Sequence, residues 1–254
     1  MSRETRRGRA RTPVWARPGP GERKPAYSRR QIVETAIAIA DAEGFEAVSM
    51  RRIAAELGAG TMTLYHYVRT KDELMTLVAD AVMSEILIPD DELPDGWREG
   101  MAELARRTRA IFVRHPWVVE HLGEGDPSSV GPSVLQHVEQ TLAIASRSGL
   151  GVDEQFELAA IVDDYVFGYA IRSHEGMHRG TEDDAISPLD AVAAYLTQQL
   201  ETGRYPHLEA FVGDDPAGAF ARVGHLAGDE QRFERGLQRV LDGLELWVAR
   251  ARER

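Results

Sequence analysis

Ser49-Met50-Arg51-Arg52-Ile53-Ala54-Ala55-Glu56-Leu57-Gly58-Ala59-Gly60-Thr61-Met62-Thr63-Leu64-Tyr65-His66-Tyr67-Val68 is the stretch of this 254-residue chain that decides its fold. Ser49 is placed to cap a short helix carrying Ile53, Ala54 and Leu57, and Gly58 supplies its stop. A second short helix is predicted from Thr61 to Tyr67, anchored inward by Leu64 and Val68. A helix-turn-helix needs an apolar first helix, a small residue at the crossing, a glycine turn, and a second helix with one apolar and one polar side. Ile53 and Leu57 face inward, Ala54 permits the crossing and Gly58 makes the turn. Thr61, Met62, Thr63 and Tyr65 are left near the exposed N-terminal end of the second helix. Such a helix fits a major groove about 12 Å wide and offers its first turns to base edges. Threonine hydroxyls donate or accept, and Met62 or a threonine methyl can meet a thymine methyl. Tyr67 and Lys71 lie further along, within reach of phosphates, and Arg51 is placed to grip the backbone.

Working outward, Ile32, Val33, Ala36, Ile37 and Ala40 recur at helical steps from Ser28 until Gly44. A fourth helix is predicted over 72–87, ending before Pro89. The acidic stretch Pro89 to Gly96 is the predicted domain boundary. Beyond it, helices are predicted near 97–115, 117–122, 132–149, 153–175, 188–203 and 229–251, and residues 204–228, rich in Gly and Pro, read as a long loop. No segment alternates as a half-buried strand does, so the fold class is all-α. The expected organisation is a disordered basic arm at 1–27, a helix-turn-helix DNA-binding domain at 28–88, and a helical body at 97–254.

The net charge of −11 is unevenly spread. Residues 1–30 hold ten Arg and Lys against two Glu, leaving twenty against thirty-nine for the rest. One end is suited to a polyanion while the remainder stays soluble. The absence of cysteine excludes a disulfide framework, thiolate metal sites and a cysteine nucleophile. No secretory signal and no run of 18 apolar residues is found, so a cytoplasmic protein without membrane association is expected.

The run from Ile32 through Leu74 carries a family resemblance in Ala36-(x)3-Ala40-(x)3-Gly44-Phe45, Ser49 through Ala54, Leu64-Tyr65 and Lys71-Asp72-Glu73-Leu74. It closely resembles the N-terminal domain of the tetracycline-repressor family. The resemblance implies that Arg51, Thr61, Met62, Thr63, Tyr65, Tyr67 and Lys71 contact double-stranded operator DNA. Tyr67 stands where the family's usual string has His, so its phosphate contact differs. Residues 233–244 resemble the family's C-terminal helix, which implies a homodimer built through Phe167, Phe233, Leu237, Leu241, Leu244 and Trp247. From the residues alone, the same stripes equally pack inside one subunit. The resemblance further implies a small-molecule inducer held by Phe112, His115, Trp117, His121, His137, Asp163, Phe167 and Arg172, and a repressor released by that ligand. No cofactor is expected.

Two other readings come from the residues. A transcriptional activator that reads the same DNA stays open. His174-Glu175-Gly176-Met177-His178 matches the H-E-x-x-H pattern of zinc hydrolases, which needs both histidines on one continuous helix and a third ligand. Gly176, Arg179 and Gly180 predict a helix end there, so no metal site and no enzyme is assigned. The Asp163-Asp164 pair is a poor catalytic dyad, because helical neighbours diverge by about 100°.

Overall fold

The computed structural model describes residues 27–120, 130–178, 188–213, 215, 218–219 and 230–253. All regular elements among them are helical, as expected from the sequence. The chain divides into two compact units, one through Arg147 and one from Ser148.

The first unit begins with α1 (Arg29–Glu43), nucleated by a capping box. Ser28 Oγ accepts from the Gln31 amide, and Gln31 returns a bond to the Ser28 amide at 2.9 Å. Gly44, at φ 85°, closes the helix, and one 3-10 turn at Phe45–Ala47 leads to α2 (Met50–Glu56). Ser49 caps α2, as predicted, through the Arg52 amide at 3.2 Å. Then come α3 (Thr61–Leu64) and α4 (Lys71–Ser84), the latter capped by Thr70 on the Glu73 amide at 3.1 Å. Ile32, Ala36, Ile53, Leu64, Val68, Leu74 and Val78 form the core of this head. Each of its larger aliphatic side chains stabilises by about 1.5–3 kcal/mol on burial.

The same unit continues through α5 (Trp97–Arg114), α6 (Trp117–Glu120) and α7 (Pro132–Ser146). The α7 helix packs on both α4 and α5. Gly100 lets α5 approach Ile144 so closely that a Cβ there would lie 2.6 Å from the isoleucine side chain. Polar clamps fix the stack. Asp80 on α4 accepts from the Ser133 amide and hydroxyl, both at 2.9 Å. Gln140 on α7 bonds both the amide and the carbonyl of Ile88. Arg107 on α5 donates to the Leu87 carbonyl at 3.0 Å and to Glu92 at 2.7 Å, and Arg147 donates to the Pro94 carbonyl. The acidic stretch after Pro89 is therefore fastened to α5 and to the end of α7.

The second unit contains α8 (Val152–His178), α9 (Pro188–Leu200), α10 (Pro206–Val212) and α11 (Glu230–Arg252). The α8–α11 pair is its core. Phe233 lies 5.5 Å from the Tyr165 ring and 5.1 Å from the Tyr169 ring. Tyr165 donates its hydroxyl to the Phe233 carbonyl at 2.7 Å. Gly236 makes this possible, since a Cβ there would run into the Tyr165 ring. Arg252 closes the far end with two bonds to the Ser148 carbonyl, at 2.8 and 2.6 Å.

Several expectations are corrected. The third helix is shorter than Thr61–Tyr67: after Leu64 the chain tightens into i→i+3 turns, His66 to Thr63 and Tyr67 to Leu64. The segment read as a loop at 204–228 holds α10, which Pro206 opens at a first-turn position and Gly213, at φ 59°, ends. The long helix does not stop near 175 but runs through His178. Residues 1–26 of the predicted arm and His121 lie outside the described residues.

Candidate nucleic-acid interface

The turn between α2 and α3 is set by a glycine stop. Gly58 sits at φ 63°, its amide bonds the Ala55 carbonyl at 3.2 Å, and the Ala59 amide reaches back to the Ala54 carbonyl at 2.8 Å. This pair of bonds satisfies the carbonyls that the end of α2 would otherwise leave open. Gly60 then starts α3, and its carbonyl accepts from the Thr63 amide at 2.9 Å. Leu64 and Val68 are wholly buried and lock the helix onto the head, as predicted. Met62 is 75% exposed and Tyr65 40%, with Thr61 and Thr63 half-buried beside them. One methyl-rich, hydroxyl-bearing face of α3 therefore stands in solvent, a composition matched to base edges rather than to a protein core.

Tyr67 is placed differently from the exposed phosphate contact expected of it: it is only 7% exposed, on the buried side next to Val68. Tyr67 follows the buried Leu64 by three residues and so shares its inner side. Arg51, Arg69 and Lys71 are exposed on the same head. Arg52 instead bridges Glu43 at 2.6 Å and Glu56 at 2.7 Å, which pushes its guanidinium further up and holds Glu43 below its usual range.

The corner between α5 and α6 is tied to α1. His115 Nδ1 lies 2.6 Å from Asp41 Oδ1, and the Trp117 indole N–H donates to the same oxygen at 2.8 Å. His115 Nε2 lies 3.5 Å from Glu85, which also pairs with Arg114. The Trp117 ring stacks on Phe45 at 5.3 Å. His115 and Trp117 were expected among the ligand contacts; both are buried, His115 Nδ1 and the Trp117 N–H face Asp41, and His115 Nε2 is buried without a hydrogen-bond partner. Asp41 escaped the sequence reading because nothing in the spacing of residues 41 and 115 pairs them.

Of the other residues expected to hold ligand, Phe112 is buried in the first unit, and Asp163, Phe167 and Arg172 lie along α8 in the second. Burial, reinforced by Asp164, pushes the Asp163 carboxyl up to about 6. His137 lies on α7 with its Nδ1 buried and unpartnered, and Thr141 Oγ1, one turn further on, is in the same state. Burial pushes His137 down, keeping it neutral. The stripe 133, 137, 140, 141 and 144 covers one face of α7, and Ser133, Gln140 and Ile144 show that this face is the inner one.

Four of the six residues expected at a dimer interface are packed inside the single chain. Phe233, Leu237, Leu241 and Leu244 are buried within the single chain, where α11 packs on α8, and Phe167 and Trp247 are half-buried. A second stripe stands exposed on α8, through Val152, Phe156, Ala160, Asp164, Gly168 and Ile171, with Phe156 52% exposed. On α11, Gly243 and Leu246 are exposed. The helix end predicted at Gly176 is absent, so His174 and His178 share one continuous helix. Among the described residues no three His, Asp or Glu side chains gather to hold a metal, and no helix is long and apolar enough to cross a membrane.

Comparison with known proteins accounts for nearly the whole chain. The family model "Bacterial regulatory proteins, tetR family" matches residues 32–78, and "Tetracyclin repressor-like, C-terminal domain" matches residues 88–248. The chain is 38% identical to the HTH-type transcriptional repressor DrrR1 of Streptomyces coeruleorubidus, over 90% of this chain and 81% of that protein. It is 30% identical to an HTH-type transcriptional regulator of Saccharopolyspora erythraea, over 91% of this chain and 90% of that one. Apo ActR of Streptomyces coelicolor is similar in structure, with a TM-score of 0.61 at 29% identity over 91% of this chain and all of that chain. ActR in complex with actinorhodin is similar at a TM-score of 0.59 and 29% identity, over 86% of this chain and 95% of that chain. With models of this family covering both the helix-turn-helix and the helical body, the chain belongs to the tetracycline-repressor family of bacterial transcriptional regulators.

Proposed function

We propose that the protein is a homodimeric repressor that binds a palindromic operator and lets go of it when a small molecule binds the body. The observation that carries the reading is the solvent-facing side of α3, where Thr61, Met62, Thr63 and Tyr65 are offered by a helix locked down through Leu64 and Val68. One such helix covers a few base pairs, so a two-fold pair reading half-sites about 34–36 Å apart supplies the specificity. The exposed stripe of α8 from Val152 to Ile171, with Gly243 and Leu246 on α11, is the face suited to the second copy. Its small residues permit close helix approach, and its apolar ones lose water on association. Arg51 and Lys71 grip phosphates.

The sensing half draws support from ActR, which has been solved with actinorhodin, and from His137 and Thr141. Two buried polar atoms without a partner cost free energy unless a guest completes them. A mostly apolar molecule carrying hydroxyl or carbonyl groups fits that requirement. Ligand binding shifts the dimer toward a conformation whose reading helices no longer match the half-site spacing. A gel shift on the protein's own upstream DNA tests the reading, with and without a panel of such compounds that includes actinorhodin. Retarded palindromic DNA supports it, and absence of any sequence-specific complex at low salt removes it.

A further inference from the structure

Helix α7 begins without a cap of its own. Gly131 stands at its N-cap position with no side chain to close the first turn, and Pro132 follows. The capping group comes from the reading head instead. Asp80, on α4, accepts from the Ser133 amide and from the Ser133 hydroxyl, both at 2.9 Å. An oxygen on the amide of the second helical residue is what an N-cap side chain ordinarily supplies, and the negative charge suits the positive end of the helix dipole. Gly131 admits it, since a Cβ there would run into the Asp80 carboxylate. Asp80 is itself fixed to the head, because Leu74 and Val78 on the same helix are buried in the head's core. The first turn of α7 is therefore complete only while α4 holds its place.

A second fastening lies further along the same face. Gln140 donates to the Ile88 carbonyl at 2.8 Å and accepts from the Ile88 amide at 2.9 Å, so the segment leaving α4 is held as well. Ser133 and Gln140 are about two turns, or roughly 10 Å, apart along the helix. His137 stands between them and Thr141 beside the second, and their Nδ1 and Oγ1 are buried without a partner. The polar atoms that a guest would complete thus lie at the points where α7 is bolted to the head. A guest entering against this face displaces α7 from α4 and strains both fastenings, because close-packed interfaces switch between discrete arrangements rather than deform continuously.

We infer that Asp80 and Gln140 are positioning residues that couple the space beside His137 and Thr141 to the reading head: filling that space draws α7 off α4, uncaps α7 and frees α4 to shift α3. This coupling deepens the sensing reading above and rests on it, yet it is measurable without a ligand. Thr141→Met stands in for a guest by adding bulk at that place, and Val138→Met adds bulk on the exposed outer side of α7. Each is made in the full chain and again in the full chain carrying Asp80→Ala with Gln140→Ala. Hydrogen exchange read by mass spectrometry follows peptides covering α3 and α4, and fluorescence anisotropy follows affinity for the upstream DNA. Coupling between sites commonly amounts to about 5–150-fold. Thr141→Met should speed exchange in α4 and weaken DNA binding by at least about fivefold each, both effects falling below about twofold once Asp80 and Gln140 are removed. Val138→Met should change neither. Thr141→Leu, a smaller wedge, should repeat the pattern if thermal melts show that Thr141→Met does not fold. Equal effects with and without the two fastenings, or unchanged exchange in α4, overturns the coupling. If the exchange pattern appears while none of the chains binds upstream DNA, the coupling stands and the operator-binding reading falls.

Discussion

Replacing Asp41 by alanine removes one carboxylate oxygen that two buried donors share. His115 Nδ1 at 2.6 Å and Trp117 Nε1 at 2.8 Å lose their acceptor together, in a corner where both residues are buried. A hydrogen bond to a charged group contributes about 1.5–3 kcal/mol, and a buried donor left unmade costs a similar amount. The Asp41 side chain is 32% exposed, so water offsets part of this and the lower end applies to each bond. The expected loss is about 2–4 kcal/mol, or a thermal midpoint lower by about 5–12 °C for a chain of this size. Differential scanning calorimetry reads the midpoint, and Trp117 fluorescence reports whether the corner itself has loosened. Asp41→Ala made in a Trp117→Phe background should cost about 1 kcal/mol less than it does alone, because one of the two donors is already gone. A loss under about 0.5 kcal/mol, or full additivity of the two substitutions, would refute the claim that Asp41 fastens the α5–α6 corner to α1.

Other expectations follow from the same geometry. Leu237→Ala, at a fully buried position between α8 and α11, should destabilise by about 2–5 kcal/mol in urea melts, whereas Leu246→Ala should be nearly neutral in the monomer. The Asp163 carboxyl titrates near 3.8 when unfolded and near 6 when folded. Its contribution is therefore complete below about pH 4 and lost as pH rises through 6, by up to about 3 kcal/mol. Asp163→Asn should erase that decline, and identical pH profiles for the two proteins would contradict it. His137 is held down by burial, so stability should fall as pH drops below about 6.5, and His137→Phe should remove that fall. Met62→Ala with Tyr65→Ala should abolish preference for the operator while leaving the melting temperature within about 2 °C, since both side chains are exposed.

The head was legible because its signals are local. Ser49, Gly58, Leu64 and Val68 act within a few residues of themselves, through a cap, a left-handed turn and an i,i+4 anchor, so spacing alone exposes them. The stripe of α11 was visible for the same reason, yet its partner was not. A run of Phe233, Leu237, Leu241 and Leu244 states that something apolar lies opposite, and α8 of the same chain meets that need as fully as a second copy does. The residues available to a partner are those left over after intrachain packing, and Phe156 and Gly168 become candidates once that packing is known. Asp41 with His115 and Trp117, and Tyr27 with Leu57, join residues distant in sequence. Their pairing depends on how helices stack, which no periodicity records. Tyr67 follows Leu64 by three residues, a spacing that puts it on the buried side, whereas its expected phosphate contact came from the family's string and not from that spacing.

If α3 of two copies reads a palindrome, its protection pattern on DNA is two-fold. Hydroxyl-radical footprinting of the upstream DNA, with the unsubstituted chain beside the Met62→Ala, Tyr65→Ala variant, tests it most directly. Two protected half-sites are expected, centred about one helical turn, roughly 34–36 Å, apart, both lost in the variant. A footprint that survives the variant unchanged, or protection with no two-fold arrangement, would contradict it.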